Sequence, residues 1–198
     1  MNTATIHTAK PPGWKSEHNP RIDLLAPFGP QLEQFTKYQL LWLISKGQRK
    51  PRFSALSDKI WTVNHHALLC AYIEPSALWH DAAEAFLGDW PTPIKTFIFA
   101  VCADSNGCCN LTGFSYLEHY AQVAIEHRLR AQVNLSLDNI KAADRLALQI
   151  EDLMLGMGIT NSPVSLEHLD IFKRLSELST EEAAQKWLDL AMESLICI

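Results

Sequence analysis

The sequence has no basic run. Its 17 Lys and Arg are outnumbered by 22 Asp and Glu, giving a formal net charge of −5, and no stretch gathers the clustered cations that a polyanion needs. Bulk nucleic acid is therefore not an expected partner, although a metal and two or three local cations can still hold a small phosphate. Long apolar runs are also missing. The longest, QLLWLIS over 39–45 and FIFAVCA over 97–103, are far shorter than the roughly 20 residues that span a bilayer. The opening MNTATIHTAK holds no apolar core of signal-peptide length, so the expectation is a soluble, cytoplasmic protein with no membrane partner. Paired cysteines are absent as well. Cys70, Cys102, Cys108, Cys109 and Cys197 are odd in number and form no Cys-x-x-Cys, which fits reduced thiols. Adjacent Cys108 and Cys109 suit free thiols better than half a metal site. Alternating strand patterns and internal repeats are not found.

What is present is an ordinary globular balance. Hydrophobic residues make up 47% and charged residues 20% of 198, enough for one domain with a substantial core. Residues 1–30, with Pro11, Pro12, Pro20, Pro27 and Pro30, read as an extended N-terminal arm. Over 31–46 the apolar positions Leu32, Phe35, Tyr38, Leu41 and Trp42 recur at helical spacing, and Gly47 ends the run. Thr62 or Asn64 can cap a helix carrying His66. Glu74-Pro75-Ser76 opens another, running through Ala77 and Glu84 to Gly88, with proline in the first turn. Further helices are expected over 92–103 and 115–130, with a turn at 104–107 between them. Ser136 caps a long helix ending at Gly156. A final pair starts near Ser165 and at Ser179, with Glu182 at the capping-box position. The fold class is all-α, divided into the arm at 1–30, a core at 31–156 and a C-terminal helical extension at 157–198 packed on that core.

Three features carry chemistry. His80-Asp81 is a dipeptide whose side chains on a helix point about 100° apart, so the pair can grip one ion from two sides, with Glu84 one turn on. His66 lies on the preceding helix. Asp144 follows on a helix more than 60 residues later. Two imidazoles and two carboxylates form a mixed N/O set suited to a borderline divalent ion, with positions left for water and a phosphate oxygen. A structural role for all of His80, Asp81, Glu84 and Asp89 would be costly, because four ionisable groups within ten residues stand among Ala, Phe, Leu and Trp.

The segment HDAAEAFLGDWPTPIK over 80–95, with Arg52-Phe53, WTVNHH over 61–66 and KAADR over 141–145, resembles the HD-domain phosphohydrolases. Within them it is similar to the small 5′-deoxynucleotidases and the phage enzymes that remove triphosphate from deoxyadenosine triphosphate. The likeness covers about residues 50–155. It implies an HD-domain helical bundle around a mononuclear metal site, with His66, His80, Asp81 and Asp144 on one divalent transition metal (Mn, Co, Zn or Fe) and an additional Mg where the substrate is a triphosphate. Glu84 would align or deprotonate the attacking water, and Asp89 would serve the leaving group or the sugar. Arg52 would hold a phosphate through its planar fork. Phe53 would lie against the sugar, and Lys95 and Lys141 would add charge toward phosphates. The implied partner is a small-molecule nucleotide and the implied assembly a homo-oligomer.

The sequence departs from the family pattern in three places. The first motif reads His65-His66, so either imidazole could be the ligand, and register favours His66. Only 13 residues separate His66 from His80, which requires a short helix or a tight turn. After Arg52-Phe53 the chain reads Ser-Ala-Leu-Ser, without the glycine-rich form of some relatives. His119 and His127, with Glu118 and Glu126, read as a solvated helix face. Trp42, Trp61, Trp79 and Trp187 read as core, whereas Trp90 beside Asp89 could line the pocket. The competing class is a non-catalytic HD module that binds a nucleotide or a protein partner, for which a water-activating Glu84 has no use.

Overall fold

The computed structural model describes residues 31–52, 60–90, 112–129, 137–156 and 164–196. In chain order these form α1 (Lys37–Gly47), α2 (Val63–Ile73), a 3₁₀ helix (Pro75–Trp79), α3 (Glu84–Leu87), α4 (Thr112–Leu129), α5 (Leu137–Leu155), α6 (Leu166–Ser176) and α7 (Thr180–Ile196). Among the described residues the secondary structure is all-α, and an isolated antiparallel bridge joins Pro51 to Thr62. No described helix is long and apolar enough to cross a membrane. The arm at 1–30, Phe53, the helix expected over 92–103 with Lys95, and the turn at 104–107 lie outside the described residues.

Caps set most helix starts. Thr36 accepts the Gln39 backbone N–H while Gln39 Oε1 accepts that of Thr36, so α1 begins six residues later than the apolar spacing of 31–46 suggests. The reciprocal cap satisfies two N–H groups that would otherwise be orphaned at the helix end. Thr62 is the N-cap of α2. Ser165 caps α6, and Ser179 and Glu182 form the expected capping pair at the start of α7.

One stretch differs from expectation in kind. Residues 75–88 do not form a continuous α-helix. Pro75–Trp79 is 3₁₀, residues 80–83 are turns, and only Glu84–Leu87 is α-helical. The Ala77 carbonyl accepts from both the His80 backbone N–H at 3.2 Å and its Nδ1 at 2.7 Å, and the bonds from Ala82 to Trp79 and from Glu84 to Asp81 also span three residues. In such a winding i and i+3 share a face, and the Glu84 N–H closes one of these bonds to the Asp81 carbonyl. Gly88, at φ 89°, ends the stretch in a conformation open to glycine.

α2 lies at the centre, packed by the 3₁₀ helix, α5, α6 and α7, while α1 packs on α3 and α7. A Cβ at Gly47 would collide with the Ala85 backbone and Cβ, so glycine allows α1 to approach α3 closely. The core joins both ends of the described chain: Trp61 stacks on Phe172 of α6 at 4.3 Å, and Trp187 of α7 meets Trp79 edge-on. Removing a buried ring such as Phe172 typically costs about 3–5 kcal/mol. Trp61, Trp79 and Trp187 are buried, whereas Trp42 is half-buried and Trp90 exposed.

Candidate metal centre

The residues from Gln48 to Arg52 run antiparallel to those leading into α2. Arg52 N–H donates to the Trp61 carbonyl, Val63 N–H to that of Lys50, and Asn64 N–H to that of Gln48. This pairing carries Arg52 to the start of α2, beside the His80-Asp81 turn. The turn is held from two further sides. The Gln48 side-chain amide donates to the Asp81 carbonyl at 3.1 Å. The carboxamide of Gln122 on α4 donates to the Trp79 carbonyl at 2.6 Å and accepts the Ala83 N–H at 3.1 Å.

Four side chains from three separate stretches meet here. His66 Nε2 lies 3.2 Å from His80 Nε2, 3.1 Å from Asp144 Oδ1 and 3.6 Å from Asp81 Oδ2. His80 Nε2 lies 3.0 Å from Asp81 Oδ2 and 3.8 Å from Asp144 Oδ1. Cys70, one turn after His66 on α2, brings its Sγ to 3.4 Å from His66 Nε2. One donor atom each from His66, Cys70, His80 and Asp144 lies within 4.8 Å of all the others, a group that can hold a metal ion. The His66 side chain is fully buried, whereas those of His80, Asp81 and Asp144 are 12%, 19% and 35% exposed.

Hydrogen bonding fixes both rings. The Ala77 carbonyl can only accept, so His80 Nδ1 carries a proton; His66 Nδ1 faces the Glu151 carboxylate at 2.6 Å. Neutral rings so bound direct their Nε2 lone pairs at each other, beside two carboxylate oxygens. That meeting of four acceptors calls for a cation, either a proton or a metal. Donors bound to one ion at about 2.0–2.1 Å lie about 2.8–3.4 Å apart for right-angled to tetrahedral arrangements. Three of the five separations fall in that range and the other two exceed it slightly, so the residues fit a single small divalent ion.

Protons show the same demand. Burial and the charge of Arg52 oppose a positive His66, but Cys70, Glu151 and Asp144 outweigh them and hold its pKa well above the usual imidazole range. Burial likewise opposes a charged His80, and Asp81 and Cys70 override it to about 9. Burial would raise the carboxyl of Asp81, which His80, His66 and Arg52 instead hold far below the carboxylate range. Asp144 and Glu151 are lowered too, against burial, chiefly through His66.

Neither comparison with known proteins, one against protein-family models and one against curated proteins, finds a match for this chain.

The expected site residues fall into three groups. His66, His80, Asp81 and Asp144 are brought together. Glu84 is buried, and its charge acts on both Arg52 and Lys50. Arg52 is buried with Nη1 3.5 Å from Asp81 and 4.0 Å from Asp89, and Nε 3.8 Å from Glu151. Lys141 is exposed on α5, and His119 and His127 are exposed on α4. His65 turns away from the cluster: its Nδ1 meets the Thr62 N–H and hydroxyl, and its Nε2 faces the Leu178 carbonyl at 3.2 Å.

Two residues of the centre escaped the sequence reading. Glu151 is fully buried and joins His66 Nδ1, the Trp61 indole N–H at 2.8 Å and Arg52. It stands seven residues, or two turns, after Asp144 on the same face of α5, a spacing that could have exposed it. Cys70 stands four residues after His66, also on one face.

Proposed function

We propose that the chain is a metal-dependent phosphohydrolase of the HD-domain type acting on (deoxy)nucleotides, as a deoxynucleoside monophosphatase or a dNTP triphosphohydrolase, dATP among its candidate substrates. The observation that carries this reading is the convergence of His66 Nε2, His80 Nε2, Asp81 Oδ2 and Asp144 Oδ1. The resemblance of residues 80–95 to the HD-domain motif supports it. The ligands would hold Mn, Co, Zn or Fe, with an additional Mg for a triphosphate. A bound divalent ion supplies Lewis acidity toward water and a phosphoryl oxygen.

The chain's own groups do the rest. Glu84, whose backbone N–H bonds to the Asp81 carbonyl, takes the proton of the attacking water. Arg52 keeps a permanent positive charge among Asp81, Glu84, Asp89 and Glu151, which offsets their repulsion of an incoming phosphate. Asp89, beside Arg52, serves the leaving oxygen or the sugar. By the resemblance, Phe53 would border the sugar and Lys95 and Lys141 would add charge toward the outer phosphates, Phe53 and Lys95 lying outside the described residues. A non-catalytic module binding a nucleotide or protein partner is the second reading, and the engagement of Arg52 by three carboxylates favours it.

Incubating protein loaded with Mn²⁺, Co²⁺, Zn²⁺ or Mg²⁺ with deoxy- and ribonucleoside mono- and triphosphates, and separating the products, distinguishes the two. Metal-dependent release of nucleoside with phosphate or triphosphate is expected. Metal-loaded protein that leaves every nucleotide intact would establish the binding module instead.

A further inference from the structure

We propose that Cys70 is itself a ligand of this centre and makes it thiophilic, selecting Zn²⁺, Fe²⁺ or Co²⁺ over Mg²⁺, Ca²⁺ and Mn²⁺. The inference shares with the proposed function only the need for a metal at the cluster. Buried cysteines often act as small apolar side chains, and the apolar surroundings of α2 would suit that. The position of the sulfur does not. Cys70 is fully buried and free of any disulfide, yet its Sγ faces His66 Nε2 at 3.4 Å, the atom that also faces His80 and Asp144. A sulfur at about 2.3 Å and a nitrogen at about 2.0–2.1 Å from one ion, at a tetrahedral angle, stand about 3.5 Å apart. The spacing of His66 and Cys70 on one helix therefore already matches a shared ion.

The second, independent observation is the fixing of both imidazoles by Glu151 and the Ala77 carbonyl, which leaves two nitrogen lone pairs meeting beside carboxylates. The sulfur adds one soft donor to the nitrogens of His66 and His80 and the oxygen of Asp144, beside the Asp81 oxygen 3.0 Å from His80 Nε2. On binding, the S–H bond breaks, its electron pair goes to the ion and the proton leaves to solvent. Thiolates favour zinc and its softer neighbours, whereas Mg²⁺, Ca²⁺ and Mn²⁺ favour oxygen. A cysteine in the set thus decides which ions the protein retains.

The test is optical and needs no substrate. The full-length protein titrated with Co²⁺ should show a near-ultraviolet sulfur-to-cobalt charge-transfer band that saturates at one ion per chain. Cys70→Ser should lose the band while still binding cobalt. A variant with Cys102, Cys108, Cys109 and Cys197 all replaced by Ser should keep it, which leaves the idea testable even if Cys70→Ser fails to fold. Zn²⁺ affinity should fall at least roughly tenfold in Cys70→Ser, with Mn²⁺ affinity nearly unchanged. Stoichiometric cobalt binding without the band, or a band lost from the four-serine variant, overturns the role of Cys70 and leaves the proposed function standing. Absence of any Co²⁺ or Zn²⁺ binding overturns both.

Discussion

His65 and His66 are consecutive residues of α2, both fully buried, with opposite surroundings. One helical step turns a side chain by about 100°, which sends the first ring toward Trp61 and the start of α7 and the second toward α5 and the His80-Asp81 turn. His65 has both nitrogens occupied by neutral partners from Thr62 and Leu178, and burial lowers its pKa. His66 keeps one nitrogen for Glu151 and points the other at acceptors, and its pKa is raised. A buried imidazole with every hydrogen bond made to neutral groups is a packing residue. One whose second nitrogen meets another imidazole, carboxylates and a thiol is poised to bind a cation.

The sharpest way to break this contrast is to delete each ring in turn. His66→Ala and His80→Ala should lose bound metal and activity, whereas His65→Ala should retain metal at reduced stability. Elemental analysis after extensive dialysis decides it, and full metal occupancy in His66→Ala would sink the assignment. Glu84→Gln should come next in size. It should keep the metal and lose rate by about 10²–10⁴, as when a general acid or base is removed; near-native turnover would show that this carboxylate takes no proton.

The contrast was only partly legible in the sequence. The cap signals at Thr62, Ser165, Ser179 and Glu182 gave helix starts because capping is local chemistry. Motif register favoured His66, but the reason His65 turns away, the Leu178 carbonyl more than 100 residues on, is tertiary. The start signal at Glu74-Pro75-Ser76 and the stop at Gly88 suggested one α-helix through His80 and Asp81. Pro75 opens a 3₁₀ helix instead, the His80 ring and N–H share the Ala77 carbonyl, and the Glu84 N–H reaches back to the Asp81 carbonyl, a tighter winding that composition does not reveal. Glu151 and Cys70 were missed because a buried acid or thiol within an apolar helix pattern looks like an ordinary interruption until the facing helix is known.

Glu151 offers a finer test, since it reaches the cluster through His66 while also holding the Trp61 indole and Arg52. Glu151→Gln preserves shape and an acceptor but removes the charge that fixes the His66 ring. Metal affinity should fall about 10–100-fold, the usual effect of altering a group hydrogen-bonded to a metal-binding histidine, measured by competition with a chromogenic chelator. Asp152→Asn, next along α5, serves as control. Equal losses in both variants would mean that Glu151 acts through packing alone.

The smallest expected effect is a pH dependence in which the two histidines pull in opposite directions. In chelator-treated protein His80 is raised from 6.5 to about 9 and His66 is also raised. The contribution of His80 is therefore complete below pH 6.5 and is lost as pH rises through about 9, and that of His66 is likewise lost on the alkaline side. His65 is lowered from 6.5, so its contribution is present above that value and disappears as pH falls below it. Metal-free protein should be most stable near pH 6.5 and lose Tm on both sides, at roughly 2–4 °C per kcal/mol for a chain of this size. Zn²⁺ should flatten the alkaline limb, because the ion replaces the protons that the cluster otherwise needs, and apparent metal affinity should rise with pH up to about 9. His65→Gln should flatten the acid limb, because glutamine can take the same capping position without titrating; the residual slope belongs to Asp81, Asp144 and Glu151, whose lowered values place their loss further into acid. Thermal melts of the metal-free, zinc-loaded and His65→Gln forms across pH 5 to 10 would show it. An alkaline limb that persists unchanged with zinc bound would mean that the protons on His66 and His80 and the metal do not compete for one place.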